Sequence, residues 1–160
     1  MVISSQALAG HSGHDAGRKL LATIYREHIG EPIPEIAVTD RGKPCFVTGD
    51  IQFSISHTKR WVFCVLSEKQ VGIDAEETDR NIDLALADKI LSAPEKRRYA
   101  DAPDQKAALL RLWVLKEAYA KATGRGWGSY LYETDFDPND PRIQEINGCY
   151  VAVIELRIEH

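Results

Sequence analysis

Apolar residues recur at helical spacing from Ala16 to His28, where Leu20, Leu21, Ile24 and Tyr25 share one face. The pattern predicts a first helix with Asp15 as N-cap and Gly30 as stop, and Pro32 and Pro34 forbid its continuation. Ile36-Ala37-Val38 then reads as a short strand, ended by the turn signal Asp40-Arg41-Gly42-Lys43-Pro44. Phe53-Ser54-Ile55-Ser56 alternates at period two. Trp61 to Leu66 is nearly continuous in apolar character, as in a buried central strand. Val71 to Glu76 forms a third β segment that ends in carboxylates. Further on, Ile82–Leu91, Pro94–Ala100 and Gln105–Thr123 show helical patterning, the last closed by Gly124. Asp135–Pro141 is rich in turn residues, and Tyr150–Ile158 alternates as a closing strand. These elements predict an α+β protein of two small, closely packed halves, dividing within residues 70–80.

Composition narrows the classes. With 160 residues, 44% hydrophobic and 28% charged, the chain is an ordinary globular sequence that needs no staple to fold. Twenty basic against 24 acidic residues leave a formal charge of −4, so no chain-wide basic field for nucleic acid exists. No apolar run nears the roughly 18 residues of a membrane span, and the first residues do not read as a secretory signal. Cys45, Cys64 and Cys149 are odd in number and lack CxxC spacing, which points to free thiols in a reducing, cytoplasmic setting.

Three acidic positions carry candidate chemistry. Asp74 and Glu76 are two apart on a strand and share a face, while Glu77 points the other way and is expected to face solvent. Glu117 lies on the long helix with Lys121 one turn later. If that helix packs beside the strand, three carboxylates and an ammonium converge, a hard-oxygen set suited to Mg²⁺. The same residues also fit solvated strand-end acids and a surface Glu–Lys pair. Ser56-His57-Thr58 adds a second polar cluster able to hold a phosphate, but no nucleophile elbow supports a Ser-His-Asp triad. Lys43 stands in a rigid Gly-Lys-Pro turn, from which it either grips a phosphate or faces solvent. There is no Walker loop.

Taken in order, GKP (42–44), FSISHT (53–58), VGIDAEE (71–77) and WVLKEAYAKATGRG (113–126) resemble the surfactin-synthetase-type 4′-phosphopantetheinyl transferases. The two family signatures stand here as Gly72-Ile73-Asp74-Ala75-Glu76 and as Trp113 to Lys121. The resemblance implies transfer of the phosphopantetheine arm of coenzyme A to a serine of an acyl, polyketide or peptidyl carrier protein, with adenosine 3′,5′-bisphosphate released. It implies two pseudo-symmetric halves, each a helix on a small antiparallel sheet, with the ligand in the cleft between them. On this reading residues 1–72 supply nucleotide contacts and residues 73–160 the metal and catalytic motifs. Asp74, Glu76 and Glu117 would be the Mg²⁺ ligands, and Glu117 or a metal-polarised water the base. Lys121 would stabilise phosphate charge. Lys43, Ser56, His57 and Arg18 would contact the nucleotide and its phosphates. Lys116 is expected to face elsewhere, in a structural role or paired with an acid, and Trp113 to be a packing anchor.

Family members are commonly longer and carry an additional basic strand-helix segment at the start, which puts the grip on coenzyme A in question. The competing expectation is a non-catalytic module of the same fold that binds coenzyme A or a carrier protein. Lys96-Arg97-Arg98 is either a docking site for an acidic carrier helix or a solvated helix face. Neither nucleic acid nor membrane is an expected partner, and the oligomeric state is open.

Overall fold

The computed structural model describes residues 1–157. In chain order the elements are β1 (Val2–Ala7), α1 (Gly13–Ile29), β2 (Ile36–Val38), β3 (Pro44–Phe46), β4 (Gln52–His57), β5 (Trp61–Ser67), β6 (Val71–Glu77), α2 (Ala87–Ile90), α3 (Ala93–Asp101), α4 (Gln105–Thr123), β7 (Ile143–Ile146) and β8 (Cys149–Glu155). They form an α+β protein with sheets ordered β1-β5-β4, β2-β3 and β6-β8-β7, every pair antiparallel. In both larger sheets the first strand in sequence bonds to the third.

Period-two alternation explains how the layers stack. Val62, Cys64 and Leu66 of β5 face α1 and its Leu20, Leu21, Ile24 and Tyr25. Phe63 and Val65 turn to the other side and meet Val71, Ile73 and Ala75 of β6 and Val151 of β8. That double burial is why the β5 segment is apolar almost throughout. The opposite face of β8, through Ala152 and Ile154, packs on Leu110, Leu115 and Ala118 among the residues around α4. The result is α1, first sheet, second sheet and α4 in succession.

The passage of β6 over α4 is unusually close. A Cβ at Gly72 would stand 2.0 Å from the carbonyl oxygen of Ala118 and 2.5 Å from the amide nitrogen of Ala122. Only a residue without a side chain fits there.

Several expectations are revised. Ser12, not Asp15, caps α1: its hydroxyl accepts from the Asp15 amide at 3.3 Å, and Asp15 sits in the first turn, where the helix dipole favours an acid. The continuous helix expected over Ile82–Leu91 is broken up. Asp83 caps a short 3-10 turn by accepting from the Ala85 amide, α2 lasts four residues, and Leu91 is extended (φ −91°, ψ 144°). The cause is the capping box that follows, in which Ser92 and Glu95 start α3. β1, β3 and β7 were not foreseen. The closing strand covers Cys149–Glu155, and Ile158 lies outside the described residues. By sheet membership the chain passes from first to second sheet at residues 68–70, so residue 72 lies inside β6. Cys45, Cys64 and Cys149 are free. Among the described residues no helix is long and apolar enough to cross a membrane.

Replacing Gly72 by alanine drives a methyl group into the α4 backbone. The expected outcome is a loss of about 3 kcal/mol or more in urea unfolding, at or beyond the upper end of the usual cost of overpacking. A loss below about 0.5 kcal/mol would show that the two elements are not held this close.

Candidate functional site

Because Gly72 lets β6 lie against α4, the next residue on the same face, Asp74, meets Lys121. The Lys121 ammonium donates to Asp74 Oδ1 at 3.2 Å, to the Ile73 carbonyl at 3.0 Å and to the Ile55 carbonyl at 3.3 Å. One cation thus ties together β4, β6 and α4. Ser56 Oγ, on β4, donates to the same Oδ1 at 3.4 Å and accepts from the Ala75 amide at 3.1 Å. The other carboxylate oxygen, Asp74 Oδ2, is buried with no hydrogen-bond partner.

Burial pushes the Asp74 carboxyl up to about 7. Lys121 opposes that rise, and the neighbouring Glu117 and Glu76 add to it. Glu117, one turn before Lys121 on α4, is also raised, chiefly by burial, with Lys121 and Arg80 opposing and Glu76 reinforcing. Asp74 and Glu117 are thus both under the negative field of Glu76. Glu76 is held by Arg80 at 2.5 Å.

Glu77 is not solvent-facing. It is buried, its Oε1 accepts from Thr58 Oγ1 at 3.2 Å, and Arg60 lies 3.6 Å away. The β6 face opposite Asp74 is covered by the first sheet, which sequence alternation alone does not reveal.

Between the β3–β4 region and the end of α4 lies a cavity of about 290 Å³. Phe53, Ile55, Ala120 and Trp127 give it apolar walls, while Glu117 and Lys121 stand at its side. Trp113 stacks on Trp127 with ring centroids 5.3 Å apart. Lys43 also reaches this wall, but its ammonium donates to Gln70 Oε1 at 3.0 Å, the Ala122 carbonyl at 3.2 Å and the Val71 carbonyl at 3.5 Å. It ties the β2–β3 turn to the C-terminal end of α4, where helix carbonyls favour a cation. Burial lowers its pKa.

Arg18, Ser56 and His57 do not line this cavity. His57 is exposed at the end of β4, and its ring lies against the first turn of α1: a Cβ on Gly13 would be 2.4 Å from its Cγ. Arg18 is half-buried further along α1. The structure therefore places Lys43 with Glu117 and Lys121 on the cavity and joins Asp74 to Lys121, while His57 and Arg18, expected beside Lys43, lie on the α1 side.

Lys116 is fully buried. Its ammonium meets Glu95 Oε1 at 2.6 Å, Thr134 Oγ1 at 2.8 Å and the Leu131 carbonyl. Glu95 also accepts from Thr134 Oγ1 and from the Phe136 amide. This network pins α3 and the 131–136 segment to α4, behind the site. Glu95 was missed as a partner, although Ser92-x-x-Glu95 is a legible capping pattern. In the basic cluster, Arg98 is engaged by Asp135 and donates to the Phe136 carbonyl at 2.9 Å.

Residues 70–153 match the model of the 4′-phosphopantetheinyl transferase superfamily. The chain belongs to that superfamily. It is similar to the 4′-phosphopantetheinyl transferase psf-1 of Bacillus pumilus, 35% identical over 122 residues that cover 70% of this chain and 52% of that protein. With the 4′-phosphopantetheinyl transferase Sfp of Bacillus subtilis (strain 168) it shares 36% identity over 122 residues, 70% and 54% of the two chains. With the 4′-phosphopantetheinyl transferase AcpT of Salmonella typhimurium it shares 30% over 148 residues, 89% and 73%. The chain spans about half the length of the two Bacillus relatives.

Among the described residues no three His, Cys, Asp or Glu side chains are gathered into a ready metal cluster. The donor chemistry nonetheless fits a hard divalent cation. A buried carboxylate oxygen without a partner, on an acid flanked by Glu76 and Glu117, is a hard oxygen donor of the kind such a cation takes.

The raised Asp74 fixes the sign of a pH effect. A carboxyl whose folded pKa lies above its unfolded 3.8 stabilises fully below that value, and the contribution is lost as pH rises towards about 7. In chelator, the wild type should therefore lose stability relative to Asp74→Asn between about pH 4 and 7 in urea unfolding. Parallel stability profiles would contradict the assignment.

Proposed function

We propose that this chain transfers the 4′-phosphopantetheine arm of coenzyme A to a serine hydroxyl of a carrier protein. The observation that carries the reading is buried Asp74, its Oδ2 unpartnered, bonded to half-buried Lys121, which stands with half-buried Glu117 at the side of the cavity. In the reaction the serine oxygen bonds to the phosphorus that bears pantetheine. The pyrophosphate P–O bond breaks, and adenosine 3′,5′-bisphosphate departs with the bond's electron pair. Such a displacement demands in-line positioning, neutralisation of phosphate charge and removal of the hydroxyl proton.

Asp74, Glu76 and Glu117 would hold Mg²⁺, with Glu76 leaving Arg80 to do so, and the ion would neutralise charge on the pyrophosphate. Glu117, or a water polarised by the metal, would accept the serine proton. Lys121, anchored by two backbone carbonyls, presents fixed positive charge to the phosphates without reorganisation. His57, against the N-terminal turn of α1, and Arg18 on the same helix suit a nucleotide phosphate. Ser56 has given its one hydroxyl proton to Asp74, and the three N–H of Lys43 go to Gln70, Val71 and Ala122, so a phosphate contact from either would replace one of those bonds.

The matching order of strand connection in the two larger sheets supports the reading of two pseudo-symmetric halves with the site in the cleft between them. The three free thiols fit a reducing, cytoplasmic setting.

The test is intact-mass analysis of an apo carrier protein after incubation with coenzyme A and Mg²⁺. One phosphopantetheine arm is expected on the wild-type product, with the rate lowered about 100-fold or more in Asp74→Ala and Glu117→Ala. Undiminished labelling by both variants would overturn the site. Coenzyme A binding without any labelling would favour a binding module.

A further inference from the structure

The alternation of β4 sorts its side chains into two rows. Phe53 and Ile55 pack into the core around α1, and Ser54 and Ser56 face β6. Thr58 continues the polar row beyond the strand end. Ser54 Oγ accepts from the Ile73 amide at 3.1 Å and Ser56 Oγ from the Ala75 amide at 3.1 Å, while Thr58 Oγ1 donates to Glu77 at 3.2 Å. β4 and β6 belong to different sheets, so these hydroxyls supply hydrogen bonds that main-chain pairing does not.

Ser54 and Ser56 hold adjacent N–H groups of one strand and are equally buried, at 7% and 6% exposure. They differ in that Ser56 also reaches Asp74 Oδ1, whereas Ser54 makes no bond to the carboxylate and borders the cavity. A carboxylate gripped at one oxygen by Ser56 and Lys121 has its rotation fixed, and the partnerless oxygen is then Oδ2.

We propose that Ser56 is a positioning residue. It holds Asp74 so that Oδ2 is the oxygen presented to a divalent cation, rather than serving chiefly as a phosphate contact. The inference rests on the metal-dependent reading above. Ser54 carries the seam between the sheets but does not touch the carboxylate.

The test compares Ser56→Ala, Ser56→Thr and Ser54→Ala. Three quantities are measured: urea unfolding, Mn²⁺ binding by electron paramagnetic resonance with saturating coenzyme A and no carrier, and steady-state kinetics. Both alanine variants should be destabilised to a similar degree. Mn²⁺ affinity should fall about 10-fold in Ser56→Ala and be unchanged in Ser54→Ala, with threonine at 56 restoring most of it. In Ser56→Ala, at sub-saturating metal, kcat should drop while KM for coenzyme A moves less than about twofold.

Equal Mn²⁺ affinity in wild type and Ser56→Ala overturns the proposal, and so does a rise confined to KM for coenzyme A. Should Ser56→Ala fail to fold, Ser56→Cys, which keeps the position filled and weakens the hydrogen bond, carries the same comparison. Asp74→Asn separates the two levels. If it binds Mn²⁺ as the wild type does, the metal reading itself fails. If it loses Mn²⁺ while Ser56→Ala does not, only the role of Ser56 fails.

Discussion

The contact between β6 and α4 at Gly72 is the constraint on which the site depends. With any side chain at 72 the strand would have to stand off from the helix, because Ala118 and Ala122 present backbone there rather than movable side chains. Two residues on, Asp74 would then be drawn away from Lys121. Lys121 in turn reaches carbonyls of both β4 and β6, so the same contact helps hold the first sheet to the second. The spacing Gly-x-Asp is therefore a packing requirement and a chemical one at once.

The electrostatics run against stability. Asp74 is buried with one oxygen unpartnered, and two neighbouring acids push its proton affinity up. A site tuned only for folding would satisfy that oxygen or replace the acid by an apolar residue. Elsewhere the chain does satisfy its buried charge: Lys116 and Glu95 are both fully enclosed, yet Thr134, the Leu131 carbonyl and the Phe136 amide complete their bonding. Of the two buried clusters one is complete, and the other leaves a carboxylate oxygen open.

Much of this was legible in the chain. The 3.6-residue repeat and Gly124 delimited α4 to the residue, and the apolar run of β5 announced a strand covered on both faces. The pairing of Asp74 with Lys121 followed from strand and helix periodicity once the two were packed together. What sequence could not supply was which face each sheet turns to the other. Glu77 alternates with Glu76 and should be wet, but the first sheet closes over it. Lys43 reads as a turn lysine that grips a phosphate or faces solvent, whereas the end of α4 lies within its reach and engages it. β1 owes its existence to a partner distant in the chain, Val2–Ala7 pairing with Trp61–Leu66, and local pattern carries little of that, whereas β7 turns straight into β8 through Asn147-Gly148, a hairpin signal that local pattern does carry.

A crystal structure with Mn²⁺ and coenzyme A addresses the arrangement most directly, since anomalous scattering locates the ion without assumption. The ion should bind Asp74 through Oδ2, with Oδ1 still on Lys121 and Ser56 and with Glu117 in its coordination sphere. An ion bound away from Asp74, or an Asp74 carboxylate turned so that Lys121 and Ser56 lose Oδ1, would contradict it.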